Sequence, residues 1–394
     1  MDFFTKKTKE LFKSGVYLQK RNSMGQFIDN GNFAFQRIKN SDFVDKSGLL
    51  NILNKNLDTE SSFMCISRPR RFGKSVAAKM AYAYYDRKSD SKELFNGLEI
   101  TKSPDYEKHL NKYPTIFIDW NTFANIPVND VLKVAQQRIV ADLKKSYTFL
   151  EEQNDLYVAL AEINEKTGDR FVLIIDEWDM LVRDVEKDVQ DAYVDFLRSM
   201  FKSYNASNIF RLVYMTGILP IIKIKTQSAL NNFVEYSIID PGDTDKYYGF
   251  TDDEVKILCQ KHNMNFDLMK HAYDGYIIGN QQSMFNPFSV MQSILKRNYN
   301  SFWSKTASFM AIESYLAIDA DQVRTKIIEM MDGEKVVIDS ASFRVDITKM
   351  ISYVDVLSLL IHLGYLTYNH TTQYVTIPNT EIKKYFQEYY SLRN

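Results

Sequence analysis

The chain has 394 residues, of which 45% are hydrophobic and 25% are charged, and its net charge is −1. This is the composition of a globular protein with room for two or three domains, and it excludes a global electrostatic attraction to nucleic acid or to an anionic membrane. Its two cysteines, Cys65 and Cys259, exclude a disulfide framework and a cysteine-based zinc site. Because it also lacks a long apolar run and the apolar core of a signal peptide, we expect a cytoplasmic protein without a membrane segment.

The first part of the chain predicts an arm followed by a helix. Residues 1–40 mix basic, aromatic and Gly/Asn-rich pieces, which is typical of an arm lying on a main domain. Residues 48–57 then place leucine and isoleucine side chains on one face of a predicted amphipathic helix. The main domain is therefore expected to begin near residue 41.

Residues 62–79 have the layout of a phosphate-binding loop. A short apolar strand is followed by a turn of Pro and Arg, then by Gly73-Lys74-Ser75, then by a helix-forming run. Backbone N–H groups and the helix dipole would both favour an anion there. We expect Lys74 to reach the β- and γ-phosphates of ATP and the Ser75 hydroxyl to hold Mg²⁺. The predicted nucleotide-binding residues are Arg70, Arg71, Phe72, Gly73, Lys74 and Ser75.

This loop departs from the usual pattern at its first position. Arg68 stands where a glycine is expected, and Pro69 has no N–H to donate. The alternative interpretation is a basic surface loop in which Arg68, Arg70 and Arg71 are simply solvated.

A second signal lies at the end of a buried strand. After a predicted strand at 115–119 and helical periods at 131–143 and 156–166, five apolar residues at 171–175 lead into Asp176 and Glu177. Strands buried on both faces of a parallel sheet have such runs, and ligands bind at their carboxyl ends. We expect Asp176 to bind Mg²⁺ and Glu177 to orient an attacking water. The alternative is a pair of helix-capping carboxylates.

The last strand predicted for this domain covers 210–215 and ends at Thr216, after a helix at 189–204. Thr216 at the strand tip could sense the γ-phosphate. The alternative is that threonine stands here only because β-branched residues suit strands. Strands that alternate with helices predict an α/β fold with a mostly parallel sheet and helices on both faces.

The pattern of alternating strands and helices gives way to mainly helical periods near residue 249. A capping box at 251–254 opens a stretch of helical periods, and the last part has a helix followed by two alternating strands. We therefore predict a helical lid over 249–330 and a winged-helix-like module over 331–394. The helix before the two strands carries only Asp355 as a charge, which favours a protein-binding or intramolecular role over DNA binding. The histidines show no ligand spacing, so no metal beyond Mg²⁺ is expected.

These features together resemble the AAA-ATPase-like family of mainly microbial proteins. The resemblance rests on segments in the family's order, FVDKSGLL (43–50), SRPRRFGKS (67–75), ELFNGLEI (93–100), VLIIDEWDM (172–180), TGILPI (216–221), ALNNF (229–233), GFTDDEV (249–255), YDGY (273–276), FNPFSV (285–290), LGYLTY (363–368) and IPN (377–379). The resemblance implies a P-loop ATPase core over 41–248. It also implies that arginine is usual at position 68 in this family, in place of the glycine of the general motif. Many relatives continue into a C-terminal nuclease-like domain of the PD-(D/E)xK superfamily, which would begin where this sequence stops.

Two functions are compatible with the sequence. The first is an ATP-binding, slowly hydrolysing regulatory switch, with a homo-oligomer or a protein partner engaged through the winged-helix-like module and with no nucleic acid or membrane as partner. The second is a scaffold that binds nucleotide without hydrolysing it, or binds none. No arginine finger can be assigned: the candidates in this chain are Arg183, Arg198, Arg211 and Arg324, and a neighbouring subunit could supply it instead.

Overall fold

The structure is a computed structural model, and it describes residues 25–151, 154–183, 185–221, 230–303, 312–339 and 349–391. Most of the predicted N-terminal arm, residues 1–24, lies outside these ranges. Within the described residues, no helix is both long enough and apolar enough to span a lipid bilayer.

The centre of the molecule is a five-stranded sheet in which every pair of neighbouring strands is parallel. Its order is β2-β3-β4-β1-β5, so β4 lies between the strand that leads into the phosphate-binding loop and the strand that ends in Asp176. The prediction of a parallel α/β sheet is therefore confirmed. The strands are β1 (Phe63–Ser67), β2 (Thr115–Asp119), β3 (Phe171–Asp176), β4 (Phe210–Gly217) and β5 (Val234–Tyr236).

Helices cover both faces of this sheet. They are α1 (Phe33–Lys39), α2 (Leu49–Asn56), α3 (Lys74–Tyr85), α4 (Lys92–Phe95), α5 (Tyr106–His109), α6 (Val128–Ser146), α7 (Leu156–Thr167), α8 (Lys187–Phe201) and α9 (Ala206–Ile209). Successive side chains of a strand point to opposite faces. Leu173 and Ile175 of β3 accordingly pack against α6, α7 and α8, whereas Val172 and Ile174 pack against α2 and α3. Burial on both faces is the reason for the unbroken apolar run in β3.

The described end of the N-terminal arm lies along the free edge of β2. Ile28 forms an antiparallel bridge with Ile116, and the N–H of Phe117 donates to the carbonyl of Phe27 at 2.8 Å. The buried Asp142 carboxylate on α6 accepts the N–H groups of residues 26–28 at 2.8, 2.8 and 3.2 Å. The arm therefore satisfies backbone groups that an exposed strand edge would leave unpaired.

Residues 249–330, predicted as a helical lid, contain a small sheet that the sequence did not reveal. Three short strands form an antiparallel sheet in the order β6-β8-β7. The predicted capping box at Thr251 and Glu254 is present at the start of the first helix. The elements are β6 (Phe250–Thr251), α10 (Asp252–His262), α11 (Phe266–Tyr273), β7 (Tyr276–Ile278), β8 (Gln281–Phe285), α12 (Pro287–Lys296), α13 (Glu313–Leu316) and α14 (Ala320–Met331).

The C-terminal part combines helices with a second small sheet. It consists of β9 (Val336–Val337), α15 (Tyr353–Leu363), β10 (Thr367–Asn369), β11 (Tyr374–Thr376) and α16 (Thr380–Ser391). The expected hairpin, β10 and β11, follows α15 directly, and β9 extends it to an antiparallel sheet in the order β10-β11-β9. The winged-helix-like assignment itself stays a prediction.

Candidate functional site

The loop between β1 and α3 has the backbone shape of an anion-binding turn. Gly73 has φ of 92°, a left-handed conformation that suits glycine, and α3 begins at the next residue, Lys74. A Cβ at Gly73 would meet nothing within 4 Å, so the backbone conformation and not crowding accounts for the glycine. The free N–H groups at the start of α3 lie at the mouth of this loop, as phosphate binding requires.

Arg68 points away from the mouth of the loop and into the protein. Its side chain is fully buried; it donates from Nη1 to the carbonyl of Tyr236 at 2.9 Å and from Nη2 to Oγ1 of Thr244 at 2.8 Å. The guanidinium carbon also lies 5.1 Å from the ring centre of Tyr248. Burial lowers the pKa of Arg68 to about 10. The alternative interpretation of a solvated arginine at this position is therefore wrong.

Lys74 is buried beneath the loop and faces the carboxylates at the end of β3. Its Nζ donates to the carbonyls of Arg68 and Pro69, at 3.0 Å each. Burial lowers the pKa of Lys74, and the negative charges of Glu177, Asp176 and Asp179 oppose that shift. The Lys74 amine thus donates to carbonyls of its own loop, and a bound phosphate oxygen could replace these carbonyls as the acceptor.

Asp176 and Thr216 meet where β3 and β4 end. The Thr216 hydroxyl donates to Oδ1 of Asp176 at 2.5 Å, and the N–H of Glu177 donates to the same oxygen at 3.1 Å. Both hydrogen bonds use Oδ1, and the Asp176 side chain is buried. Among the described residues, no group of three or more His, Cys, Asp or Glu side chains is placed to hold a metal ion. Mg²⁺ binding by Ser75 and Asp176 stays a prediction, and it would leave most of the ligands of the ion to phosphate and water.

Glu177 has an unusual backbone for a residue other than glycine. Its φ is 55°, and it precedes a 3₁₀ turn, Trp178–Leu181, without accepting a capping hydrogen bond from it. A left-handed conformation is uncommon for residues other than glycine, and strained residues of this kind cluster at functional sites, although eight other described non-glycine residues share a positive φ. Burial raises the pKa of Glu177, although the Lys74 and Arg183 charges oppose the shift. The helix-cap interpretation is therefore not supported for Glu177.

Asp179, Arg183 and Gly217 lie beside Asp176 and Glu177; Arg183 was predicted only as one of four candidate arginines, and no role was predicted for Asp179 or Gly217. The fully buried Asp179 carboxylate accepts the N–H of Ile218 at 3.2 Å and that of Leu219 at 2.9 Å. A Cβ at Gly217 would lie 2.4 Å from the Trp178 ring. The available signal was the further carboxylate of the run at 176–179, three residues after Asp176.

The four candidate arginines occupy different places. Arg183 lies beside the carboxylates at the end of β3, with its Nη2 3.2 Å from Oε2 of Glu177. Arg198 pairs with an aspartate one turn earlier on α8, and Arg211 pairs with Asp58 at the opposite end of β4. The Arg324 guanidinium lies 5.8 Å from the ring centre of an aromatic residue in α16. Arg183 is therefore the one of these four that lies beside the carboxylates.

A cleft of about 490 Å³ opens between the phosphate-binding loop and the lid. Gly73, Lys74, Ser75 and Glu177 lie on one side of it. Its apolar walls come from separate parts of the chain, including Phe43, Met80, Tyr247, Phe250, Phe288 and Met291. A cleft with this volume, apolar walls and a few convergent polar groups is typical of a small-molecule site.

The remaining loop residues face the lid and the C-terminal part. Arg71 donates from Nη1 to the carbonyl of Phe302 at 3.2 Å, and Phe72 is buried, with its ring centre 4.9 Å from that of Tyr276. The charge of Arg70 acts on the Tyr365 phenol. Nucleotide binding by Arg70, Arg71 and Phe72 stays a prediction, and for Arg71 and Phe72 it would use backbone N–H groups.

The parallel sheet with β4 between β1 and β3, the turn at Gly73-Lys74-Ser75 and the carboxylates at the end of β3 define a P-loop NTPase fold. The family model described as "Predicted AAA-ATPase" matches residues 28–226, and the chain belongs to this AAA-ATPase-like family.

A curated protein of Azotobacter chroococcum mcd 1, described as "Uncharacterized protein in vnfD 5'region", is 22% identical over 283 residues. The match covers 70% of this chain and 53% of that protein, so the chain spans about half the length of this relative.

Two solved structures also align with the chain. The Walker-type ATPase of Pyrococcus abyssi has a TM-score of 0.42 at 10% identity, over 87% of this chain and 94% of that one. The ORC2 protein of Aeropyrum pernix has a TM-score of 0.36 at 11% identity, over 89% and 97%. At these TM-scores, neither likeness supports a conclusion about this chain.

Proposed function

We propose that the chain binds ATP with Mg²⁺ in the cleft beside Gly73-Lys74-Ser75 and hydrolyses it slowly, as a nucleotide-dependent regulatory switch. The observation that carries the proposal is the meeting of three strand ends. Lys74 follows the loop after β1, Thr216 is the last residue but one of β4, and Asp176 ends β3, and these strands are neighbours in the sheet. A phosphate-binding amine and a metal-binding carboxylate therefore lie on either side of one polar strand tip.

Each residue has a separate task in this proposal. Lys74 and the backbone N–H groups at the start of α3 bind the phosphates, and Ser75 and Asp176 hold the cation. The Mg²⁺ ion, when bound, neutralises charge on the phosphates. Glu177 orients the attacking water, and Thr216 responds to the γ-phosphate.

A switch requires that the phosphate-binding loop contact the parts that respond to it. The N–H of Gly249, at the start of the lid, donates to the carbonyl of Phe72 at 3.1 Å. On the other side, a Cβ at Gly364 would lie 2.7 Å from Cβ of Pro69, so the end of α15 packs tightly on the loop. A rearrangement of residues 69–72 on nucleotide binding would reach both the lid and the C-terminal part, which supports the switch.

The second candidate is a scaffold that binds nucleotide without hydrolysing it. It is favoured by the state of two key groups, since Lys74 donates to carbonyls of its own loop and Glu177 is paired with Arg183. Turnover of ATP distinguishes the two candidates.

The proposal is tested with the purified chain by calorimetry with ATP and Mg²⁺ and by measuring ATP turnover, at low and at high protein concentration. Lys74→Ala removes a charge-assisted contact worth about 1.5–3 kcal/mol, so ATP affinity should fall roughly 10- to 150-fold. Lys133→Ala, an exposed lysine on α6, is the control and should leave affinity unchanged. Equal ATP affinity in the wild type and Lys74→Ala contradicts the site, and binding without turnover favours the scaffold.

A further inference from the structure

Arg183 is held at two points by two different carboxylates. Its Nε lies 2.8 Å from Oδ2 of Asp179 in an ion pair that lacks hydrogen-bond geometry, and its Nη2 donates to Oε2 of Glu177 at 3.2 Å. Only 12% of the Arg183 side chain is exposed, and Asp179 is fully buried. The guanidinium is therefore anchored on the Asp179 side, while its other end reaches toward the cleft that Glu177 lines.

Asp179 is in turn fixed by the segment that leaves β4. Its carboxylate accepts the N–H groups of Ile218 and Leu219, directly after Gly217, where the Trp178 ring leaves no room for a side chain. Thr216, one residue earlier, binds Asp176. Thr216 near the end of β4 thus binds Asp176 directly. The N–H groups that follow β4 bind Asp179, which pairs with Arg183, and Arg183 in turn binds Glu177.

The charges of the site require such an arrangement. Three carboxylates, of Asp176, Glu177 and Asp179, lie near Lys74 and Arg183, and the charges of the other four groups act on Lys74 and on Glu177. A triphosphate brings further negative charge, which would repel an unrestrained Glu177 carboxylate. A fixed cation beside Glu177 offsets that repulsion and limits the directions in which the carboxylate can point.

We propose that Arg183 is the positioning residue for Glu177, a fork anchored on Asp179 that holds the Glu177 carboxylate where it can orient the attacking water. This inference rests on the proposed hydrolysis of ATP and specifies how the tip of β4 is linked to it. Arg183 acts here only through Glu177 and makes no contact with phosphate.

Arginine suits this role and lysine does not. The planar guanidinium holds its N–H groups in a rigid arrangement, so the ion pair with Asp179 on one side fixes the direction in which Nη2 donates to Glu177 on the other. A lysine ammonium keeps the charge but is a flexible point donor. Arg183→Lys should therefore retain the charge balance of the site while it loses the orientation of Glu177.

The test is a double-mutant cycle on the full chain, with Glu177→Gln, Arg183→Gln and the double variant compared with the wild type. Turnover is measured with saturating ATP and Mg²⁺, and ATP affinity is measured by calorimetry. Misplacing a catalytic group by about 1 Å can cost 10²-fold in rate, so Arg183→Gln should lower turnover by roughly that factor. In the Glu177→Gln background the same change should alter turnover by no more than about twofold, because the residue through which it acts is already disabled.

Two controls separate positioning from general damage. Arg183→Lys should keep the ATP affinity of the wild type and still lose most of the turnover. Arg87→Gln breaks a comparable ion pair, with Asp169, beyond the far end of α3, and should leave turnover unchanged. Thermal unfolding of every variant identifies any that fail to fold, and Arg183→Lys then decides the question in place of Arg183→Gln.

The outcomes are distinct. The inference is overturned if Arg183→Lys keeps full turnover. It is also overturned if the double variant loses turnover by the product of the two single losses. In both cases the proposed ATP hydrolysis stands. A further loss of ATP affinity when Arg183→Gln is added to Glu177→Gln shows that Arg183 binds phosphate directly, and this also overturns it. A wild-type chain without turnover contradicts the proposed hydrolysis and the inference with it.

Discussion

The guanidinium of Arg71, in the phosphate-binding loop, lies 4.3 Å from the ring centre of Phe288 in the lid. The same side chain lies 5.5 Å from the ring centre of Trp303 and donates to the carbonyl of Phe302. Glu381, at the start of α16, accepts the N–H groups of Phe302 and Trp303 at 2.6 and 3.1 Å. A continuous set of contacts therefore leads from the loop through the lid to the last helix.

We expect Arg71→Ala to loosen the lid, because it removes a cation–π contact worth about 0.5–2 kcal/mol and a hydrogen bond to the lid backbone. Limited proteolysis near residue 250, without nucleotide, should become faster by a factor of about 2 to 30. Phe288→Leu should give a similar increase, whereas Arg37→Ala, which removes an arginine from the ring of Phe33 on α1, should not. Unchanged cleavage in Arg71→Ala would show that this contact does not hold the lid.

Substitutions of the two carboxylates at the end of β3 should have different effects on ATP binding and on ATP turnover. Asp176→Asn should weaken the Mg²⁺-dependent part of ATP binding, because Asp176 is proposed to hold the cation. Glu177→Gln should leave ATP affinity unchanged and lower turnover by about 10²–10⁴-fold, the usual contribution of general-base or orienting chemistry.

Calorimetry with and without Mg²⁺ and a turnover assay measure these effects. Intact turnover in Glu177→Gln would remove that residue from the chemistry. Because trapped ATP favours whichever lid position binds it better, Glu177→Gln should also resist proteolysis near residue 250 when ATP is present.

Gly217→Ala should destabilise the protein through steric overlap. The new Cβ would lie 2.4 Å from the Trp178 ring and 2.7 Å from Oδ1 of Asp179, and overpacking of this kind costs about 1–3 kcal/mol. Gly168→Ala is a matched comparison, because its Cβ would meet nothing within 4 Å and the cost comes only from φ of +73°, about 1–2 kcal/mol. Urea unfolding measures both, and Gly217→Ala should also lower ATP turnover, which Gly168→Ala should not.

Asp86 should make the stability of the protein depend on pH. Burial raises the pKa of this carboxyl from about 3.8 to about 6, so the folded state favours its neutral form. The stability that the protonated form contributes is present below pH 3.8 and is lost as pH rises through about 6.

Asp86→Asn should therefore gain stability relative to the wild type between pH 4 and pH 8, by up to about 3 kcal/mol. Urea unfolding at several pH values measures the difference. Asp90→Asn, at an exposed position later in the same connection between α3 and α4, is the control and should show no such gain. A pH-independent difference between Asp86→Asn and the wild type would contradict the assignment.

Local patterns predicted the core of this protein well, since burial on both faces of a parallel strand leaves a readable apolar run. The run at 171–175 located Asp176 and Glu177, and the strand, loop and helix at 62–79 located Lys74. The three strands β6, β7 and β8 were not predicted, because they are short and β6 pairs with a strand about thirty residues later. Arg183 was left among four candidates, because its partners become neighbours only through the turn after Glu177.

The inward direction of Arg68 has a consequence for the evolution of this loop. Its guanidinium fills the space behind the loop and satisfies the Tyr236 carbonyl and the Thr244 hydroxyl. A relative that restored glycine at this position would leave both groups without their donor and a void beside Tyr248. Positions 68 and 244 should therefore vary together among homologues, and searches that demand a glycine at the first position of the motif will pass over proteins built in this way.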